Sequence, residues 1–282
     1  MMNILHPTDF SDNACKALKY AYELSRKLNA GLRVVHVAES PSMFAYPHAA
    51  SFEEMEEQEK DSYMRRLRDF CIESLATLSA ISIDLLINNS VITGILNAIK
   101  ESNASLVVVG TRGQSRFREV VMGSTTRKLI AVSPCPVLAI PEDASFSEIR
   151  QIVYTSDFNR HDIAALQKLT AFAANFDAKI AVLHVFSSEL DHKAEAENFK
   201  LQLAENIKYD SLEYATRISQ NIGEALANYL QEIKTDLLVM YEKEKGGIIE
   251  RMFHKDLVKK FATHTSVPLL SFNALSAAGD LQ

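Results

Sequence analysis

Ile4-Leu5-His6-Pro7-Thr8-Asp9-Phe10 and Ile152-Val153-Tyr154-Thr155-Ser156-Asp157-Phe158 are two copies of one pattern. Each runs from strand-favouring residues into Asp-Phe, and each is followed by a segment of helical period. The correspondence continues without a gap. Ala17-Leu18 matches Ala165-Leu166, and Val35-His36-Val37 matches Leu183-His184-Val185. With small shifts, Leu106-Val107-Val108-Val109 matches Leu237-Leu238-Val239-Met240, and Pro136-Val137-Leu138 matches Pro268-Leu269-Leu270. A repeat this long is a duplicated domain, because solenoid units recur at about 20–50 residues. The break falls at Pro141-Glu142-Asp143-Ala144-Ser145, a short polar stretch. The expected domains are therefore residues 1–143 and 148–282, touching each other.

In the first half the strand candidates are 3–8, 32–38, 81–87, 105–110 and 136–140. Between the first two, Ala14, Ala17, Leu18, Ala21, Leu24 and Leu28 form one apolar helical stripe. Residues 52–78, 92–103 and 124–132 also read as helices. Strands alternating with helices imply an α/β fold with a parallel sheet covered on both faces. The strands are rich in Val, Ile and Leu with little polar alternation, as burial on both faces demands. The expected architecture is two doubly wound, Rossmann-like, five-stranded domains in tandem. Such folds bind ligands beyond the carboxyl ends of the strands, where strand order reverses. That places the search after Thr8, after Val37 and after Val109.

The whole chain sets the outer limits. Its 282 residues carry 47% hydrophobic and 23% charged residues, an ordinary globular balance. A net charge of −6 disfavours general binding to nucleic acid or anionic membranes. No run approaches the roughly 20 apolar residues that span a bilayer. The opening Met1-Met2-Asn3-Ile4-Leu5 lacks a basic segment leading into an apolar one, so no secretory signal is expected. Cys15, Cys71 and Cys135 are far apart and form no CxxC pair, which fits reduced thiols in a cytoplasmic setting.

After the fourth strand the chain reads Gly110-Thr111-Arg112-Gly113, then nine residues, then Gly123-Ser124-Thr125-Thr126. Glycines there let the backbone approach a bulky anion. Gly123-Ser124-Thr125 then opens a helix, whose unpaired amides and dipole favour phosphate. The plainer reading is a turn followed by an ordinary helix cap. The pattern is neither a Walker A loop nor a dinucleotide GxGxxG. By residues alone it marks a site for an anion of nucleotide size. Arg112 is set between the two glycines, whereas Arg116, Arg118 and Lys128 read as solvated helix-face charges.

Taken together, Pro7-Thr8-Asp9-Phe10-Ser11, Val35-His36-Val37, the spaced glycines at 110, 113 and 123, and Ser133-Pro134-Cys135-Pro136-Val137-Leu138 resemble the universal stress protein family. The resemblance covers nearly the whole chain, twice over, and is strongest in the first half. It implies ATP, with or without Mg²⁺, in the first domain. Asp9 would contact the base or ribose, with Pro7 and Thr8 beside it, and Val37 would contact adenine. Gly110, Arg112, Gly113, Gly123, Ser124, Thr125 and Thr126 would surround the triphosphate. It further implies a stress-response or signalling module without fast turnover, acting on an unidentified protein partner. Two rivals stand beside it. One is a slow ATPase or nucleotidyl-transfer enzyme on the same fold, although the glycine segments supply no acidic residue and Glu119 is the nearest. The other is a nucleotide-independent scaffold.

The second half lacks the glycine pattern. Tyr241-Glu242-Lys243-Glu244-Lys245 follows its fourth strand, and Gly246-Gly247 is wrongly spaced. Asp157 and Val185 persist, so a base-sized pocket could survive there. His36 and His184 hold equivalent positions, which suggests a shared structural role. Cys135, between two prolines, reads as the lead into a strand. The apolar stretch 41–48 reads as a loop. The strands Val137-Leu138-Ala139-Ile140 and Leu269-Leu270-Ser271-Phe272 are expected at sheet edges, where open backbone groups invite pairing. Their pairing would make the chain an intramolecular pseudo-dimer, with a further homodimer open to it.

Overall fold

The computed structural model describes residues 2–39, 52–111, 122–158, 161–188, 193–242 and 267–278. Arg112, Gly113, Arg116, Arg118, Glu119 and the 41–48 stretch lie outside the described residues, as does the second-half segment 243–266.

The first half runs β1 (Asn3–Pro7), α1 (Asp12–Lys27), β2 (Gly31–Glu39), α2 (Phe52–Leu75), β3 (Ile81–Asn88), α3 (Val91–Glu101), β4 (Leu106–Gly110), α4 (Ser124–Val132) and β5 (Val137–Ile140). The second runs β6 (Gln151–Thr155), α5 (Asp162–Ala173) with a short 3₁₀ turn, β7 (Lys179–Phe186), α6 (Lys193–Asn206), β8 (Leu212–Ile218), α7 (Ile222–Glu232), β9 (Leu237–Tyr241), β10 (Leu269–Phe272) and α8 (Ala274–Ala278).

The ten strands among the described residues join one sheet, in the order β3-β2-β1-β4-β5-β10-β9-β6-β7-β8. Pairing is parallel within each half. Among the described residues, the one antiparallel junction is β5 with β10, in the register Val137↔Ser271, Leu138↔Leu270 and Ala139↔Leu269. Strand order therefore reads outward from the junction in the same way on both sides, as an approximate two-fold relation requires. In each half the order reverses beside the first strand, which creates the crevice between β1 and β4.

Successive strand residues face opposite sides of the sheet. Ile4, Val34, Val108, Leu138, Ile152 and Val182 enter one buried cluster. Their neighbours Leu5, Val35, Val107, Val153 and Leu183 enter the other. Each cluster contains residues of both halves, because the sheet between them is continuous. This is why the strands are apolar almost throughout.

The helix ends have local causes. Ser11 caps α1 by accepting from Ala14 N at 3.2 Å, and Ser90 caps α3 by accepting from Thr93 N at 3.4 Å. The segment expected to be helical to 78 ends at Leu75, because Ala76 turns left-handed at φ 55°. The one expected to reach 103 ends at Glu101, where Ser102 Oγ donates back to Ala98 O and Asn103 adopts φ 46°.

Candidate functional site

At the carboxyl ends of β1, β2 and β4 lies an open cleft of about 470 Å³, within the size range of small-molecule sites. Three local features build it. The first is the turn out of β1. Pro7 ends the strand, and Thr8-Asp9-Phe10 leads into α1. Phe10 adopts φ 64°, a conformation that a bulky residue rarely takes. Short bonds hold it there: Phe10 N donates to Thr8 Oγ1 at 3.1 Å, and Ser11 N to Asp9 Oδ1 at 3.1 Å. The turn brings Pro7, Thr8 and Asp9 to the cleft wall. Phe158 repeats the conformation at φ 59°, so the duplication preserves the strained turn as well as the residue types.

The second feature is an apolar floor. Val37 of β2 lines it with Ile95 and Val91 of α3. Close approach of α3 depends on Gly94, where a Cβ would lie 2.6 Å from Val37 Cγ1. The third is a donor-rich end, where Gly110 closes β4 and Gly123-Ser124-Thr125-Thr126 opens α4. A Cβ on Gly110 would come within 2.9 Å of the Asn13 side chain and 3.1 Å of its carbonyl oxygen. Thr126 Oγ1 donates to Gly110 O at 2.9 Å, and Gly123 N to Thr111 O at 2.7 Å, so α4 is tied directly to the end of β4. Unlike α1 and α3, α4 has no side-chain hydrogen bond at its N-cap, Gly123. Its first-turn amides have no partners within the helix, and they carry the positive end of the dipole.

The described members of the expected set thus meet in one cleft; Arg112 and Gly113 lie outside the described residues. The structure adds residues that sequence reading passed over. Tyr63 and Arg66 of α2 line the cleft, with the Arg66 guanidinium 4.3 Å from the centre of the Phe10 ring. They fall in a long charged helix whose pattern gives no sign of them; only the packing of α2 over the strand ends brings them in. His36 also lines the cleft, between Phe10 at 4.2 Å and Tyr63 at 5.3 Å between ring centres. Its Nδ1–H donates to Thr8 O at 2.8 Å. Burial pushes its pKa below the usual value, the Thr8 bond opposes that, and the Arg66 charge adds to the lowering. His184 donates in the same way to Ser156 O at 2.6 Å, the shared structural role that the repeat suggested.

Among the described residues, the second half carries larger groups at the corresponding positions. Tyr241 stands where the first half has Gly110; it is buried and stacks on His161 at 5.4 Å with an 8° interplanar angle. His161 occupies the place of Asn13. Asp162 replaces Ala14, is buried, and accepts from Tyr154 Oη at 2.8 Å and Ser156 Oγ at 2.5 Å. An aromatic ring and a carboxylate thus stand where the first half has Gly110 and Ala14, both of which line its cleft.

Comparison with known proteins bears on the family and on the fold. A model of the universal stress protein family matches residues 1–141. Universal stress protein YxiE of Bacillus subtilis is 30% identical over 139 residues, covering 47% of this chain and 93% of its own. A universal stress protein of Thermus aquaticus is 32% identical over 139 residues, covering 49% of this chain and 96% of its own. The crystal structure of a universal stress protein from Archaeoglobus fulgidus superposes over 96% of this chain and 98% of its own. Its TM-score is 0.64 and its sequence identity 18%, so it speaks to the fold of the whole tandem.

Proposed function

The chain belongs to the universal stress protein family, and from that premise we propose that its first half binds one ATP as a regulatory ligand. The observation that carries this reading is the two-ended cleft. An apolar floor at Val37, Val91 and Ile95 suits a planar base. At the other end are the uncapped first turn of α4 and the hydroxyls of Ser124 and Thr125. Backbone amides at a helix start suit phosphate oxygens. Asp9, at the mouth of the β1 turn, is an acceptor suited to ribose hydroxyls or a base amino group. Arg112 and Gly113 complete the phosphate end by resemblance. When bound, ATP would supply charge and ordered contacts at the cleft mouth, on which a protein partner could act.

Binding without fast turnover fits the same residues. Asp9 is the one carboxylate among the described lining residues, and its Oδ1 already accepts from Ser11 N. A hydrolytic site needs a group that orients water near the phosphates, and usually carboxylates for Mg²⁺. No helix among the described residues is long and apolar enough to cross a membrane; a cytoplasmic role is part of this reading. The test is to denature freshly purified protein and identify the released nucleotide by mass spectrometry, then follow bound ATP in a single turnover. The expected result is adenine nucleotide in the supernatant and ATP intact over minutes. Rapid conversion to ADP would favour the ATPase reading. Failure to carry or take up any nucleotide would favour the scaffold.

A further inference from the structure

The helix whose N-terminus faces the cleft is held at its other end by the opposite half of the molecule. Asn273 follows β10 in the second half and is buried. Its Nδ2 donates to Ile130 O at 2.8 Å and to Ser133 O at 3.0 Å, at the C-terminal end of α4. The last carbonyls of a helix have no partner within it, so these two bonds form a C-cap supplied from outside. We propose that Asn273 is a positioning residue for the nucleotide site of the first half. By capping α4 across the junction, it fixes where the opposite end of that helix meets the ligand. The proposal rests on the nucleotide reading above.

Asn273 is itself rigidly placed. Its Oδ1 accepts from Ser276 N at 2.8 Å, and its N–H donates to Ser276 Oγ at 2.8 Å, a reciprocal cap on α8. Lys168 of α5 donates to Ser276 O at 2.6 Å, tying α8 to the second half. Every polar atom of the side chain is engaged in a site closed to water, where a lost partner is costly. A continuous set of hydrogen bonds therefore runs from α5 through α8 and Asn273 to α4. At the far end of α4, Thr126 Oγ1 bonds Gly110 O beside the cleft. Thr126 and Ile130 lie about one turn apart on this nine-residue helix. A helix is stiff over that length, so a tilt at one end moves the amides at the other.

The residue that follows β5, in the place of Asn273, is Pro141, which has no polar side chain to return the contact. The half without the glycine pattern thus supports the half that has it. This gives the second half a role that does not require it to bind a nucleotide.

The test separates the phosphate contribution from general stability. The full chain, Asn273→Ser and Asn273→Asp are each titrated with ATP and with adenosine. Both replacements are good helix N-caps, so α8 keeps its cap. Serine is too short to reach α4, and aspartate cannot donate and would face two carbonyl oxygens. ATP affinity is expected to fall about tenfold in Asn273→Ser, and at least as far in Asn273→Asp, with adenosine affinity unchanged. Hydrogen exchange without ligand should quicken in α4 and stay constant in α3. Equal loss for both ligands, or unchanged ATP affinity, would overturn the proposal. So would loss of a cooperative melt in both variants, because Asn273 would then serve the fold alone. Wild-type protein that binds neither ligand would overturn the nucleotide reading itself, whatever α4 exchange shows.

Discussion

His6 is fully buried, and its Nδ1–H donates to Val108 O at 2.8 Å across the β1–β4 crevice. Burial pushes its pKa down from 6.5 to about 4, only partly opposed by that bond and by Asp9. The unfolded chain therefore binds a proton here more readily than the folded one. The resulting stability is present above pH 6.5 and is lost as pH falls towards 4. Its size is about 3 kcal/mol by linkage. His6→Asn keeps a donor near the Nδ1 position and cannot titrate. Urea unfolding at pH 7, 5.5 and 4 should show a shallower acid loss in this variant than in the parent. An unchanged acid slope would show that His6 does not carry the effect. At the same scale, Thr126→Val removes the bond to Gly110 O while nearly keeping side-chain volume. It should cost about 1 kcal/mol in stability and weaken ATP binding. A variant as stable as the parent would show that Thr126 does not pin α4 to β4.

Among the elements of the first half, α4 differs from α1 and α3 in offering its N-terminus without a side-chain cap. Gly123, at φ −60° and ψ 154°, already has the backbone of an N-cap, so aspartate can replace it without strain there. Gly123→Asp would satisfy the amides that the ligand is proposed to use and place a negative charge on them. Stability should rise by a few tenths of a kcal/mol, while ATP affinity falls about tenfold or more. A thermal melt and a titration on the same sample read these opposed changes. Affinity that holds or rises with the added carboxylate would place the phosphates elsewhere. The strands, the apolar stripe of α1 and the start of α4 were all legible in sequence, because buried strands and amphipathic helices leave periodic signatures. The contributions of Tyr63 and Arg66 were not. They depend on how α2 lies over the strand ends, and a charged helix carries no pattern that fixes which residues it turns inward.

At the scale of the whole molecule, the two halves share one sheet and two cores. Val137, Leu138, Ala139 and Ile140 of β5 are all buried in the two cores, and β10 pairs with the edge of that strand. The repeat and the two apolar edge strands made this junction legible in sequence. The cross-junction role of Asn273 was not, since a single asparagine after a strand looks like any turn residue. A fragment of residues 1–143 would expose the β5 edge and should dimerise or aggregate. Sedimentation at micromolar concentration checks this, and a stable monomer would show that β10 is not needed to cover β5. The halves also differ where it matters for a ligand: Gly110 faces Asn13 in the first, and Tyr241 stacks on His161 in the second. The central claim, one adenine nucleotide held by the first half alone, is tested most directly by isothermal titration of the full chain with ATP and Mg²⁺. The account predicts a single class of site with a stoichiometry near one per chain. Two equivalent sites per chain, or no binding, would contradict it.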